Sequence, residues 1–142
     1  ASDVYKRQDL KKKSTETETG LKFFINKKGD GDMVDENKVI LTHYAVYFED
    51  GNLLDTSILE IAEKFNMIDN RRAQAGGYSP IEAKVGAKDM MIQGFKEGLK
   101  LLKTGDKATL FLPYYLAYGE TESRGIPAKS NLIFEVEIVD QK

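Results

Sequence analysis

Alternating apolar and polar residues predict most of the β-structure of this chain. A short strand over residues 21–26 leaves through a turn rich in glycine and aspartate. Residues 39–48 are apolar on both alternating faces, as in a strand that is strongly curved or covered on each side, and Asp50-Gly51 then predicts a hairpin. Residues 107–112 and 131–140 each carry one apolar face, which is typical of an antiparallel sheet with one wet face.

Two other segments have apolar residues at helical spacing. Residues 57–66 predict a short amphipathic helix, and an exposed loop follows over residues 70–77. Residues 91–106 predict a second helix with one apolar stripe and with Gly105 placed to end it. We therefore expect an α+β fold, in which a curved antiparallel sheet wraps around a central helix and an extra short helix is inserted between strands.

The first 20 residues differ in character from the rest of the chain. A basic cluster at residues 11–13 is followed by the polar run STETETG, which offers no apolar face for packing. A solvated charge run is the plainer interpretation of the cluster, although it could also touch a partner or a membrane surface. The sequence therefore predicts a flexible tail or linker over residues 1–20 and one folded domain over residues 21–142.

Composition narrows the possible partners. The 142 residues are 41% hydrophobic and 31% charged, a balance typical of one globular domain. A net charge of -2 predicts no general attraction to nucleic acid, and no apolar run approaches the roughly 20 residues that span a bilayer. The chain has no cysteine and does not begin with methionine, so two compartments stay open: the cytoplasm or, if an export or lipid-anchor segment was removed, the periplasm.

Several kinds of chemistry lack the residues that they require. His43 is the sole imidazole and lies in the middle of a predicted strand, where a structural role is the favoured interpretation over acyl transfer. Zinc sites need several histidine or cysteine ligands, and the acidic loop at residues 29–37 lacks the calcium-loop pattern. No phosphate-binding glycine motif is present. We expect neither a metal nor a cofactor, so the function must depend on shape and dipoles.

Four separated motifs then resemble one family. They are the hairpin YAVYFEDGNLLDTS, the helix entry MIQGFKEGL, the segment LPYYLAYG and the strand GIPAKSNLIFEVEIV. Their order is similar to that of FKBP-type peptidyl-prolyl cis/trans isomerases, over about residues 21–139. The resemblance implies a sheet half wrapped around the helix and a shallow apolar pocket between them. It also implies an enzyme that accelerates rotation about X-Pro bonds in proline-containing peptides or unfolded proteins.

The resemblance further implies which side chains line that pocket. The residues matching the family's catalytic positions are Tyr44, Asp55, Met91, Ile92, Phe95, Tyr118 and Phe134. Further substrate-binding residues are Leu54, Ile81 and Ile126, the last in a loop overhanging the site. In the family's usual arrangement, the backbone N–H of Ile92 and the hydroxyl of Tyr118 each hold a ligand carbonyl, while Asp55 accepts a hydrogen bond at the rim. By contrast, Tyr114 and Tyr115 are expected to cover an edge of the core.

This sequence departs from the family pattern in two ways. Leu54, Ile81 and Phe95 stand where larger or more aromatic residues are usual, so we expect a less aromatic pocket and reduced affinity for rapamycin-like macrolides. The segment 58–79 is longer than in minimal family members. One alternative to an isomerase is therefore a non-catalytic binding module or chaperone that uses the pocket and this insertion to hold a client.

Overall fold

The computed structural model describes residues 2–142, so the part of the tail prediction that concerns Ala1 lies outside the described residues. Within that range the helices are α1 (Ser2–Lys13), α2 (Leu59–Lys64), α3 (Asn70–Gln74) and α4 (Gln93–Leu99). The strands are β1 (Thr15–Glu16), β2 (Lys22–Lys27), β3 (Ile40–Phe48), β4 (Leu53–Thr56), β5 (Ile81–Ala83), β6 (Lys107–Leu112) and β7 (Leu132–Gln141). A short 3₁₀ helix covers Tyr114–Leu116. No helix formed by residues 2–142 is both long and apolar enough to cross a membrane.

All the strands join in one antiparallel sheet. Its order is β1-β2-β6-β7-β3-β4, and β5 pairs with β3 beside β4. Strands β3 and β7 pair along the whole of β3, with one register shift between Leu41 and Thr42. The alternation of apolar residues places buried side chains of β3, β5, β6 and β7 in one core with those of α4. The structure thus confirms the predicted α+β fold, a curved antiparallel sheet around a helix.

The concave face of the sheet and helix α4 enclose the main core. Gly94 and Gly98 of α4 allow the helix to approach β6 closely, because a Cβ atom on Gly94 would lie 2.5 Å from Cγ of Leu112 and one on Gly98 would lie 2.5 Å from Cδ1 of Leu110. Sixteen buried residues form this core: Leu21, Ile40, Val46, Ala83, Val85, Phe95, Leu99, Leu102, Ala108, Leu110, Leu112, Leu116, Leu132, Phe134, Val136 and Ile138.

The convex face carries a smaller apolar cluster beneath α1 and α2. Its buried members are Ala45, Tyr47, Leu53, Phe111 and Ile133. Leu10 of α1, Ile61 of α2 and Phe65, which follows α2, pack against them. Arg7 fastens α1 to this cluster: the side chain stacks over the Tyr47 ring at 3.7 Å, and its Nε lies 3.4 Å from Oε2 of Glu135. Burial, together with the charge of Glu135, raises the pKa of Tyr47 to about 12. The face predicted to be wet is therefore partly covered.

Residues 2–20, which the sequence analysis predicts to be part of a flexible tail or linker, form α1 and β1 and contact the rest of the chain. Beyond α1 and β1, the hydroxyls of Thr17 and Thr19 donate to the carboxylate of Glu97 on α4, at 2.8 Å and 2.6 Å. The Tyr115 hydroxyl also donates to the Thr19 carbonyl at 2.8 Å. This segment, residues 2–20, is held by ion pairs and hydrogen bonds, and an analysis of apolar periodicity does not detect such contacts.

Two local predictions also need correction. The loop predicted over residues 70–77 contains α3, whose N-cap Asp69 accepts from the backbone N–H of Arg72 at 3.1 Å. The helix predicted over residues 91–106 ends at Leu99, and its apolar stripe continues into turns that still bury Leu102. Gly105 does not end that helix; with φ of +93° it belongs to the turn before β6.

Candidate active site

A cleft of about 440 Å³ opens at one end of the concave face, between the sheet and the start of α4. Its lining contains nine of the ten side chains singled out from the sequence: Tyr44, Leu54, Asp55, Ile81, Met91, Ile92, Phe95, Tyr118 and Phe134. The remaining lining residues are Val46, Met90, Ser123 and Arg124. Strand register accounts for the grouping, because Asp55, Val46, Phe134 and Leu110 lie opposite one another on four neighbouring strands and so share a face.

The floor of the cleft is apolar and continuous with the core. The Phe95 and Phe134 rings lie 5.2 Å apart between centroids with a tilt of 43°, and the two residues are only 3% and 6% exposed. Ile92 sits beside them as the N-cap of α4, in an extended conformation with φ of −58° and ψ of 142°. The floor therefore offers a rigid apolar surface of the kind that a small ring can pack against.

Two side chains of one wall, Tyr44 and Asp55, are hydrogen-bonded to each other, and Asp55 also binds Arg72, which does not itself line the cleft. The Tyr44 hydroxyl donates to Oδ2 of Asp55 at 2.5 Å, while Oδ1 of Asp55 accepts from Nη1 of Arg72 at 3.0 Å and from the Thr56 backbone N–H at 2.8 Å. Burial, followed by the hydrogen bond to the Asp55 carboxylate, raises the pKa of Tyr44 to about 12. Tyr44 is thus a neutral donor at physiological pH, and both oxygens of Asp55 are engaged.

Arg72 is a site residue that the sequence analysis missed. It comes from α3, stacks over the Tyr78 ring at 4.5 Å and donates from Nε to the Gly77 carbonyl at 3.1 Å. Burial alone would lower the pKa of Arg72, but its hydrogen bonds with Tyr44 and Asp55 raise it above the usual value. The helix-capping signal at Asp69 could have revealed α3, whereas nothing local indicates that Arg72 reaches across to Asp55.

The rim near β7 differs from the prediction for Ile126. Its side chain is 5% exposed and does not line the cleft. Ile126 instead anchors a tight hairpin, in which its N–H donates to the Ser123 carbonyl at 2.8 Å and the Ser123 N–H donates back at 3.1 Å. A buried apolar anchor lets the tip of this hairpin, at Arg124, face the cleft. Tyr118 lies on the same rim, 39% exposed.

The loop that leads into α4 is held by a buried lysine. Lys96 is 4% exposed, and its Nζ donates to the backbone carbonyls of Gly86 at 3.2 Å and Asp89 at 2.8 Å. The loop therefore has a fixed path as it delivers Met91 to the cleft wall, and it leaves the neighbouring Met90 fully exposed. Because backbone carbonyls accept the hydrogen bonds of its ammonium group, this buried lysine stabilises the loop that forms the wall.

His43 lies on the convex face, away from the cleft lining. Its Nδ1 is 2.9 Å from the Ser57 hydroxyl, and that hydroxyl accepts the backbone N–H of Tyr44 at 2.8 Å. The imidazole therefore links β3 to the residue that follows β4. Within the range that the structure describes, no group of three or more His, Cys, Asp or Glu side chains is arranged to hold a metal ion.

Comparison with known proteins agrees with this geometry. A family model described as FKBP-type peptidyl-prolyl cis-trans isomerase matches residues 31–139. The chain is 39% identical over 139 residues to FKBP-type peptidyl-prolyl cis-trans isomerase FkpA of Buchnera aphidicola subsp. Baizongia pistaciae, covering 97% of this chain and 47% of that protein. It is 30% identical over 140 residues to a probable FKBP-type peptidyl-prolyl cis-trans isomerase of Haemophilus influenzae, covering 97% of this chain and 50% of that protein.

A solved structure supports the same assignment. The crystal structure of FkpA from Escherichia coli superposes with a TM-score of 0.71 at 27% identity, over 100% of this chain and 61% of that one. The chain belongs to the family of FKBP-type peptidyl-prolyl cis-trans isomerases, which confirms the resemblance found in the sequence. It spans about half the length of the curated relatives that it matches.

Proposed function

We propose that this chain accelerates cis/trans rotation about X-Pro bonds in peptides and unfolded proteins by binding the prolyl ring in the cleft. The observation that carries the proposal is the cleft floor, where the rings of Phe95 and Phe134 and the side chain of Ile92 form an apolar surface open to solvent at one end. Membership of the isomerase family supports the same activity.

The cleft suits this reaction because no proton has to be moved. A planar amide resists rotation with a barrier of roughly 18 to 20 kcal/mol, because resonance gives its C–N bond partial double-bond character. The twisted amide carries less charge on its carbonyl oxygen and is therefore less dependent on water than the planar ground state. A water-poor surface consequently favours the twisted form over the planar one, and this difference lowers the barrier.

Polar groups at the rim would orient the peptide. In the proposed complex the Tyr118 hydroxyl and the Ile92 backbone N–H each donate to a substrate carbonyl, which fixes the bond above the aromatic floor. The wall formed by Tyr44 and Asp55 keeps its shape because the two bind each other and Asp55 binds Arg72, so it positions the chain that flanks the proline. None of these roles requires ionisation during turnover.

A protease-coupled peptide assay tests the proposal. We expect the purified chain to accelerate isomerisation of a Leu-Pro peptide, and Tyr118→Phe to lower kcat/KM by about three- to tenfold, since one hydrogen bond is lost. Asp55→Asn should also lower it. Tyr115→Phe is the matched control, because Tyr115 donates to Thr19 outside the cleft. Absence of acceleration by the wild-type chain would refute the proposal, and equal losses for Tyr118→Phe and Tyr115→Phe would refute the role of the rim hydroxyl.

The composition of the cleft supports a second, finer proposal about ligands. Leu54 and Ile81 line the cleft where the sequence comparison leads us to expect larger aromatic surfaces. Rapamycin-like macrolides should therefore bind with reduced affinity, because less aromatic area contacts the ligand. Calorimetric titration of the wild type and of Leu54→Phe would measure this effect: the substitution should tighten binding, and unchanged affinity would count against the explanation.

Client holding is a second candidate function, favoured by one feature of the insertion. Met67 and Ile68 lie between α2 and α3 and are 48% and 37% exposed, which is unusual for adjacent apolar side chains. If they hold unfolded clients, the double substitution Met67→Ser and Ile68→Ser should weaken suppression of client aggregation while short-peptide isomerisation persists. Met33→Ser removes an exposed methionine elsewhere and serves as the control. Equal suppression by both variants would refute this function.

A further inference from the structure

The charges that line the cleft are not balanced. Its charged lining residues are Asp55 and Arg124. The Asp55 carboxylate is paired with Arg72 and also accepts from Tyr44, so its charge is compensated within the protein. Arg124 is exposed and takes part in none of the ion pairs formed among residues 2–142. Of the two charged lining residues, Arg124 is therefore the one whose charge is not held in an ion pair.

The backbone holds this arginine at the tip of the rim hairpin. Arg124 and Gly125 have φ of +51° and +80°, the two positive values expected at the centre of a type I′ turn. Arginine is an unusual residue there, because a side chain disfavours positive φ, whereas asparagine or glycine adopts it readily. The turn is nevertheless kept by the paired hydrogen bonds between Ser123 and Ile126. A strained position at a binding site suggests a functional side chain.

The other charged residues of the same loop lie outside the cleft lining. Glu120, Glu122 and Lys129 are exposed and do not line the cleft. Arg124 therefore differs from these three residues in its position at the cleft. A guanidinium is suited to this place, since its planar fork of N–H donors matches a carboxylate and it remains charged at all physiological pH values.

We propose that Arg124 is a specificity-determining residue that selects prolyl substrates with an acidic residue next to the proline. This inference rests on the proposed isomerase function and names the class of substrate that the same cleft prefers. The substrate carboxylate pairs with the guanidinium at the rim while the prolyl ring occupies the floor. Such a pair is open to solvent, so its effect is modest and weakens as salt is added.

Matched peptides test the preference directly. The wild-type chain is assayed on Glu-Pro and Gln-Pro peptides, and on Pro-Glu and Pro-Gln peptides, and each result is expressed as the Glu/Gln ratio of kcat/KM. We expect a ratio of about two to five in at least one series at low salt, falling toward one in about 1 M NaCl. Expressing the result as a ratio removes any general effect of a variant on activity.

Three variants identify the residue responsible. Arg124→Gln should bring the ratio to about one, whereas Arg124→Lys should give a ratio between those of Arg124→Gln and the wild type, since the charge remains but the planar fork is lost. Lys129→Gln is the matched control, because it removes one positive charge from the same loop at another residue with positive φ, +56°, outside the cleft lining. Its ratio should equal that of the wild type.

The outcomes separate this inference from the function on which it rests. Acceleration of a Leu-Pro peptide without a Glu/Gln ratio above one in either series would overturn the role of Arg124 and leave the isomerase proposal standing. A ratio that survives Arg124→Gln, or that Lys129→Gln also abolishes, would overturn it as well. No acceleration of any peptide, Leu-Pro included, would overturn the isomerase proposal itself.

Discussion

The two faces of the sheet are stabilised by different interactions. On the concave side, sixteen buried apolar residues pack around α4, and the open end of this core forms the cleft. On the convex side, five buried apolar residues lie under α1 and α2, and a stacked arginine supplies much of the specific contact. The concave face therefore depends chiefly on hydrophobic burial, and the convex face depends more on charge and geometry.

This difference explains why the proposed binding site lies where it does. A ligand that must leave water needs an apolar surface that is already rigid, and the core provides one without extra cost in conformational entropy. On the convex face, the buried apolar side chains already pack against Leu10, Ile61 and Phe65. Substitutions on the two faces should consequently differ in size and in kind.

Removing an aromatic ring from the concave floor should have the largest effect. Phe95→Ala is expected to lower the free energy of unfolding by about 3 to 5 kcal/mol, because the lost ring leaves a cavity in a packed core. Phe65→Ala on the half-buried convex side should cost only about 1 to 2 kcal/mol. Urea unfolding of both variants measures the difference. Similar losses would contradict the contrast between the faces.

Removing the Arg7 guanidinium from the convex face should have an intermediate effect. Arg7→Met keeps the aliphatic length but loses the guanidinium over Tyr47, and it should cost about 1 to 2 kcal/mol. Hydrogen exchange should then show faster exchange in α1, while peptide isomerisation is unchanged. Lys6→Met on the exposed side of the same helix is the control and should change stability by less than about 0.5 kcal/mol. Unaltered exchange in the Arg7 variant would show that α1 is held by other contacts.

Removing Arg72, the ion-pair partner of Asp55, should have a smaller effect that is confined to the cleft. Arg72→Leu removes the ion pair at 3.0 Å, and kcat/KM should fall by about two- to fivefold, since the pair is partly exposed. The neighbouring Arg71→Leu is the control, because Arg71 is exposed and is not part of the wall. If both variants behave alike, the insertion has no specific effect on the wall.

The last expected effect is absent at neutral pH and is a dependence of stability on pH in the alkaline range. The pKa of Tyr44 is raised from its ordinary value of 10.0 to about 12, so the folded state keeps the proton that the unfolded chain releases. Relative to Tyr44→Phe, the wild-type stability should be constant below pH 10 and fall as the pH rises from 10 to about 12. Denaturant titrations of the two proteins across this range provide the measurement. Parallel curves would indicate an unperturbed tyrosine.

The sequence predicted those parts of the fold and of the cleft that are marked by apolar periodicity or by family motifs. The hairpin at Asp50-Gly51, the two long strands β3 and β7 and the cleft residues on them all follow from alternation and motif order. Arg72 and α1 do not, because each is held by polar contacts to residues distant in sequence, 17 positions away at Asp55 and 128 at Glu135. A single sequence without homologues gives no sign of such pairs.

The seating of α1 has a practical consequence for handling the molecule. Its contacts, Arg7 on Tyr47 among them, lie on the side of the sheet opposite α4. A bead or sensor surface coupled to an exposed side chain of α1 would therefore attach to the convex side of the sheet. The cleft, which opens on the concave side, would remain accessible to peptides in solution. Peptide binding can therefore be measured on the immobilised chain without blocking access to the cleft.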